Sequence, residues 1–122
     1  MRQYKRSDRV RQQILRDVQQ LLEHECATNL KGMVTFTEVA LTDDLKYATI
    51  YYSVLGNDHQ KDEASEYFDR IRNRVRSQLA RLIRLKQTPE ISFKYDPSIE
   101  RGMRIEQLLN DISSEHDSDD DD

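Results

Sequence analysis

A run of basic side chains between residues 70 and 87 is the part of this sequence best suited to binding chemistry. The stretch reads RIRNRVRSQLARLIRLKQ, with six arginines, one lysine and no acidic residue. Arginine presents a planar fork of donors that binds phosphate oxygens in pairs and stacks on bases. At helical spacing, three arginines share one face and three apolar residues share the other, namely Arg74, Arg81 and Arg84 against Val75, Leu79 and Leu82. The run therefore predicts a helix that packs on one side and presents guanidinium groups on the other.

An ordinary solvated face is the alternative interpretation of the same run. Charges on such a face commonly pair with acids three or four residues away. No acid lies between Asp69 and Glu90, so local pairing is not available here. A polyanion-binding surface is the favoured hypothesis, and charge alone does not distinguish DNA from RNA.

A second cluster of basic residues lies at the N-terminus. Lys5 and Arg6 precede the first predicted helix, and Arg9 falls within it on the face opposite the apolar residues. We expect Lys5, Arg6 and Arg9 to form a second contact area if this arm lies on the same side as the first.

The residue types that carry catalysis are present but badly placed. A zinc-protease helix needs a second histidine four residues after His24, and that position is Thr28. Cys26 has no basic partner in sequence, and the three glycines are too scattered for a phosphate-binding loop. Asp43 and Asp44 lack the spacing of a cation-binding loop. No enzyme activity, cofactor or metal is predicted.

The hydrophobic periodicities predict the elements that position the basic residues. Helical spacing indicates a helix over 8–25, two crossover helices over 60–73 and 74–85, and a last helix after Asp96-Pro97, where Ile105, Leu108, Leu109 and Ile112 form an apolar stripe. Alternation and β-branched residues indicate strands over 33–42, 44–55 and 90–95. The alternation slips between Phe36 and Val39, which predicts a bulge. The expected fold is a small α+β sandwich with three strands covered by helices on one face.

Composition separates the chain into a domain and a tail. The 122 residues suit one domain, predicted at 1–113, and the last eight residues hold six acids and no base. Without those eight residues the net charge moves from −4 to +2. Residues 114–122 are predicted to be a disordered acidic tail. The single cysteine and the absence of an apolar run of membrane-spanning length predict a cytoplasmic protein.

Several segments carry a resemblance to a known family. They read DRVRQQILRDVQQLLEHE, GMVTFTEVALTDDLKYATIYYSVLG, RVRSQLARLIRLKQTPEISFKYDPSIERG and RIEQLL, and together they cover most of residues 7–112. The combination of DLKYA, TPEI and DPSIERG at these separations resembles the ribosome-binding factor A family. That resemblance implies a type II KH-like fold of order α-β-β-α-kink-α-β. It also implies a monomer that binds the free or immature 30S subunit, contacts 16S rRNA, and supports late maturation, rRNA processing and cold adaptation.

The resemblance also raises a question about the helical crossover. The family has an Ala-X-Gly kink there, and the aligned residues are Ile71, Arg72 and Asn73. Asparagine tolerates a left-handed conformation, so we expect Asn73 to preserve the kink. The alternative is one continuous helix, since Ile71 and Val75 are four residues apart.

These observations combine into one predicted RNA-binding surface. The expected phosphate contacts are basic, and the residues at the kink are expected to shape the surface; the full set is Arg72, Asn73, Arg74, Arg76, Arg81, Arg84, Lys86, Lys5, Arg6 and Arg9. The alternative function is a protein-interaction module that docks on an acidic partner protein.

Overall fold

Two helices pack against one face of a three-stranded sheet in the computed structural model of the chain, which describes residues 6–98, 101–102, 105–110 and 112. In chain order the elements are α1 (Arg6–Asn29), β1 (Met33–Leu41), β2 (Tyr47–Leu55), α2 (Asp58–Leu82) and β3 (Glu90–Tyr95). The predicted α+β class, with its three strands, is confirmed.

The sheet has the order β1-β2-β3, with β1 antiparallel and β3 parallel to the central strand. Ile50 lies at its centre, opposite Val39 of β1 and Phe93 of β3. The register of β1 shifts between Phe36 and Glu38, which confirms the predicted bulge. The parallel pairing of β2 and β3 requires the long crossover that α2 supplies.

The core lies between this sheet and the two helices. Phe68 of α2 is fully buried, and its ring centroid lies 5.7 Å from that of Phe36, 4.6 Å from that of Tyr52 and 4.7 Å from that of Phe93. Such offset and tilted pairs add to the stabilisation from burial alone. The alternate residues of β2 predicted to share a face are all buried here, namely Ala48, Ile50, Tyr52 and Val54.

The predicted kink at Asn73 is wrong, because α2 is a single helix of 25 residues. Its buried residues Phe68, Ile71, Val75 and Leu79 continue one stripe at three- and four-residue spacing. Asn73 is exposed on the opposite side and does not adopt a positive φ. Because both Ile71 and Val75 pack on the same sheet, bending the helix between them would expose apolar surface.

The end of α2 also differs from the prediction. The helix stops at Leu82, so Arg84 follows it rather than sharing its face, and the Leu82 side chain is 54% exposed instead of packed. Ile83 adopts an extended conformation, with φ −108° and ψ 116°, and turns the chain away from the helix axis. Ile83 and Leu85 then pack against the core near the place predicted for Leu82.

The chain after β3 begins as predicted. Asp96 accepts the backbone N–H of Ser98 at 2.9 Å, and its second oxygen accepts the hydroxyl of Thr37 at 2.8 Å. The described residues between 98 and 112 are helical, and the apolar stripe predicted there is more than half exposed. The predicted boundary at 113 and the acidic tail lie outside the described residues. Neither α1 nor α2 combines the length and hydrophobicity needed to cross a bilayer, and the other described helical residues do not either.

Candidate nucleic-acid interface

A cleft of about 430 Å³ opens where the start of α1, the β1–β2 turn and the α2–β3 loop meet. We call it the basic cleft and define it by its lining residues Arg6, Asp44, Leu45, Leu85, Lys86 and Gln87. Arg6 and Lys86 come from the two basic clusters that the sequence separates by 80 positions. The fold therefore joins one member of each predicted contact area in a single site.

The β1–β2 turn places Leu45 in an unusual conformation at the edge of the cleft. Its φ of 61° makes it the one non-glycine residue with a positive φ in the described chain. A branched side chain in this region costs roughly 1–2 kcal/mol relative to glycine. Hydrogen bonds hold the turn closed, since Thr42 accepts the N–H of Leu45 at 2.9 Å and Asp44 accepts the N–H of Lys46 at 3.0 Å.

The α2–β3 loop is held in place by Arg76. Its guanidinium donates to the carbonyl of Thr88 at 2.9 Å and to the carbonyl of Pro89 at 3.1 Å, and it lies 3.2 Å from the carboxylate of Glu90. Three contacts from one half-buried side chain fix the segment that carries Lys86 into the cleft. Arg76 therefore holds this loop in place, and the phosphate contact that the sequence predicted for it stays a prediction.

Arg74 joins the two helices. Its guanidinium donates to the carboxylate of Glu25 on α1 at 2.6 Å, and the hydroxyl of Tyr67 donates to the same oxygen. Burial alone raises the pKa of Glu25, but the hydrogen bonds from Arg74 and Tyr67 and the charge of Arg74 outweigh it and lower that pKa overall. No acid lies near Arg74 in the sequence, as stated above, but its carboxylate partner Glu25 lies 49 positions away.

The other residues of this segment that were predicted to contact RNA differ in their position along α2 and the loop after it. Arg72, Arg81, Arg84 and Lys86 are exposed, and none of them lies within 4.0 Å of a carboxylate among the described residues. Arg81 lies in the last turn of α2, and Arg84 precedes the cleft residue Leu85 in sequence, whereas Arg72 lies nine residues before Arg81, about 14 Å along the helix.

On the N-terminal side, Arg9 is exposed one turn after Arg6, while Lys5 lies outside the described residues. Asn73 is exposed on α2, and its carbonyl accepts the hydroxyl of Ser77 at 3.2 Å. The structure therefore keeps Arg9 beside the cleft and leaves Asn73 without a role in shaping a kink.

The side chains that line the basic cleft suit the binding of a ligand better than the making or breaking of covalent bonds. The cleft offers two cations, an amide, a carboxylate and two leucines, which are groups that hold a ligand by charge and apolar contact. Cys26 is buried, and that burial, followed by the charge of Glu25, raises the pKa of its thiol to about 11. Across the described chain, no three His, Cys, Asp or Glu side chains cluster in a way that could hold a metal ion.

Sequence reasoning did not assign four of the six described cleft residues to the site. Asp44 and Leu45 open the DLKYA segment, and Leu85 and Gln87 lie in the long segment before TPEI, but for these four residues both segments served only to support the family resemblance. The available signal was the turn TDDLK, in which a leucine occupies a position where glycine or asparagine is usual. That signal can be recognised only once the turn's backbone angles are known.

Known proteins resemble this chain over most of its length. Residues 6–109 match the family model for ribosome-binding factor A. A ribosome-binding factor A of Neisseria meningitidis is 37% identical over 114 residues, which is 93% of this chain and 92% of that protein. The crystal structure of ribosome-binding factor A from Thermus thermophilus shares the fold, with a TM-score of 0.62 at 19% identity over 73% of this chain and 94% of that one.

A further similarity comes from a complex. A homology model of the Thermus thermophilus factor, fitted into a cryo-electron-microscopy map of a 30S complex, has a TM-score of 0.53 with this chain. Its sequence is 19% identical, over 70% of this chain and 93% of that one. The family match extends across both helices and the whole sheet, including every element that lines the basic cleft.

Proposed function

The chain belongs to the ribosome-binding factor A family, and from this premise we propose that it binds the small ribosomal subunit through 16S rRNA. The proposed contact area is the basic cleft together with the exposed cations beside it. One observation carries this proposal: Arg6 and Lys86 line the same cleft although they come from opposite parts of the sequence. The fitted 30S complex of the Thermus thermophilus factor supports the choice of partner.

The proposed contact residues are those of the predicted cations that are exposed and form no ion pair among the described residues. They are Arg6, Arg9, Arg72, Arg81, Arg84 and Lys86, with Lys5 next to them in sequence. Arg74 and Arg76 hold neighbouring elements together and act on the surface indirectly. Each phosphate that a cation neutralises releases counterions, so binding weakens as salt rises, with a slope of about 0.7–0.9 per contact on a logarithmic scale.

The proposed biological role follows from this partner. The protein acts in the cytoplasm as a monomer that binds free or immature 30S subunits, assists late maturation and 16S rRNA processing, and leaves the completed subunit. Growth at low temperature should depend on it, because misfolded rRNA escapes more slowly in the cold. Deletion is expected to accumulate immature subunits, measured as a sucrose-gradient profile at low and normal growth temperatures.

A charge-reversal experiment with matched controls tests the contact area. We expect the variant Arg81→Glu, Arg84→Glu, Lys86→Glu to bind purified 30S subunits at least about tenfold more weakly than the wild type, because it replaces three cations by anions at a phosphate surface. The control Arg16→Glu, Lys31→Glu, Lys94→Glu changes the net charge equally, at exposed cations on other parts of the surface. Equal weakening by both variants would show that overall charge, rather than this site, determines binding.

A pull-down from cells separates RNA from an acidic protein as the partner. Ribonuclease treatment of a pull-down from cells should release the bound material, since an RNA-held complex depends on an intact backbone. Material that stays bound after digestion, and that is still lost in the cleft variant, would identify an acidic protein surface as the partner and refute the proposal.

A further inference from the structure

We propose that the basic cleft holds one unstacked nucleotide of single-stranded RNA whose base carries an exocyclic amino group. This inference rests on the proposed function, because it names the part of the RNA that enters the same site. The volume of about 430 Å³ lies within the range of roughly 300–1,000 Å³ found for small-ligand pockets. Contact with a phosphate backbone alone needs charge on a surface and no concave volume of this size.

Apolar surface in the cleft is the first argument for a base. Leu45 of the β1–β2 turn and Leu85 of the α2–β3 loop both line it, although neither contributes to charge. Bases that leave the stack are commonly held against aromatic or apolar side chains, because each base has an apolar face. The unusual φ of Leu45 keeps a large side chain at the cleft edge where a turn normally has none. Such conformations concentrate at ligand-binding sites, where surrounding hydrogen bonds maintain them.

The polar groups around these leucines match the rest of a nucleotide. Arg6 and Lys86 supply positive charge for its phosphate, and the amide of Gln87 can donate or accept. A site that binds only the phosphate backbone of RNA needs no carboxylate, yet Asp44 also lines the cleft. An acid in an RNA-binding site has a specific use as an acceptor for a base amino group.

Asp44 is prepared for that use by the turn. The hydroxyl of Thr42 at 2.6 Å and the N–H of Lys46 at 3.0 Å both donate to Oδ1, and no hydrogen bond from another described residue occupies Oδ2, which can therefore accept from a ligand. The hydrogen bond from Thr42, with that from Lys46, lowers the pKa of Asp44, so it is ionised at neutral pH. A carboxylate accepts from the amino group of cytosine, whereas the carbonyl oxygen of uracil at the same ring position is repelled.

Fluorescence anisotropy with labelled single-stranded pentamers of cytidine and of uridine tests the role of the leucines on the full chain. Leu45→Gly keeps every charge and suits the positive φ, so the turn should remain intact. We expect it to weaken binding of the cytidine pentamer by about tenfold, near the lower end of the range for loss of an aromatic side chain stacked on a base. Leu55→Ala removes an exposed leucine at the other end of β2, about 30 Å away, and should change binding by less than about twofold.

A second variant tests the base preference. The wild type should bind the cytidine pentamer more tightly than the uridine pentamer at the same salt concentration. Asp44→Asn retains an Oδ1 acceptor for Thr42 and Lys46 but removes the charge, and it should abolish this preference. Equal affinity of the wild type for both pentamers would overturn the assignment of an amino-bearing base.

Failure of this inference can be told apart from failure of the proposed function. Binding of the wild type to purified 30S subunits tests the function, and a negative result there refutes it whatever the pentamers show. If the wild type binds subunits but Leu45→Gly binds the cytidine pentamer as tightly as the wild type does, the cleft accepts no base. Thermal unfolding of each variant confirms that the compared proteins are equally folded.

Discussion

The ion pair between Glu25 and Arg74 should stabilise the domain in a way that depends on pH. Glu25 lies on α1 and accepts hydrogen bonds from Arg74 and Tyr67 of α2, so it links the two helices that cover the sheet. Glu25→Gln preserves the size of the side chain and one acceptor oxygen while it removes the charge. We expect this single change to loosen the contact without disturbing the core.

The size of the expected loss of stability follows from how exposed the two side chains are to solvent. A hydrogen bond to a charged group contributes about 1.5–3 kcal/mol when it is shielded, whereas an exposed ion pair contributes about 0.2–1 kcal/mol. The side chain of Arg74 is 44% exposed and that of Glu25 is 25% exposed, so solvent screens this pair in part and the lower values apply. We therefore expect Glu25→Gln to reduce the free energy of unfolding by about 1 kcal/mol, or to lower Tm by roughly 4–8 °C in a domain of this size.

The pH dependence has a definite sign. Because the pKa of Glu25 is lowered in the folded state, the unfolded chain binds this proton more tightly. The stabilisation is complete above the ordinary value of 4.5 and is lost as pH falls through the folded pKa. Urea unfolding of wild type and Glu25→Gln should thus differ most near neutral pH and converge as the pH falls through the lowered pKa of Glu25.

A neighbouring glutamate provides the control. Glu23 is exposed on the same helix and has no ion pair among the described residues, so Glu23→Gln should leave the unfolding midpoint almost unchanged. If both variants unfold at the same urea concentration near neutral pH, the Glu25 contact contributes nothing. If the effect of Glu25→Gln persists undiminished in acid, the carboxylate charge is not its cause.

Three further predictions concern the loop, a helix cap and the cysteine. Arg76→Ala should weaken RNA binding by several-fold, because it frees the loop that carries Lys86; anisotropy titration checks this, and unchanged affinity would mean that the loop is held without Arg76. Asn57→Ala should lower the free energy of unfolding by about 1 kcal/mol, measured by urea titration, since Asn57 caps α2 through a reciprocal bond with Gln60. A smaller effect of Asn57→Gly would support that cause. Cys26 should resist a thiol reagent near pH 8 until denaturant is added, because its pKa is about 11 and its side chain is buried; rapid labelling of the native protein would contradict this.

The basic residues show which features of the candidate site could be predicted from the local sequence. The charge run at 70–87 correctly identified a helix with exposed arginines, and Lys86 does line the cleft with Arg6. Sequence could not show that Arg74 and Arg76 are already paired, because Glu25 and the carbonyl groups before β3 come close only after the sheet forms. Two of the residues predicted to contact RNA thus hold neighbouring elements together, and their contact with RNA stays a prediction.

Local patterns decided the elements of this protein. Alternation along β2, the slip near Phe36 and the helical stripe of α1 depend on which side chains repeat along one segment, and all three are observed. The order of residues along one segment is the same in every conformation of the chain, so their periodicity can be read before the chain folds. The position of the bulge in particular was set by the sequence alone.

Only the tertiary structure decided whether α2 bends, where it ends and what the basic cleft contains. Asparagine at 73 permits either a kink or a helix, and burial of Ile71 and Val75 against one sheet selects the helix. The cleft combines α1, a hairpin turn and a loop that lie far apart in the sequence, so no local pattern describes it. Its volume and its two leucines are brought together by packing between distant segments, because packing is determined by the whole core and not by neighbours in sequence.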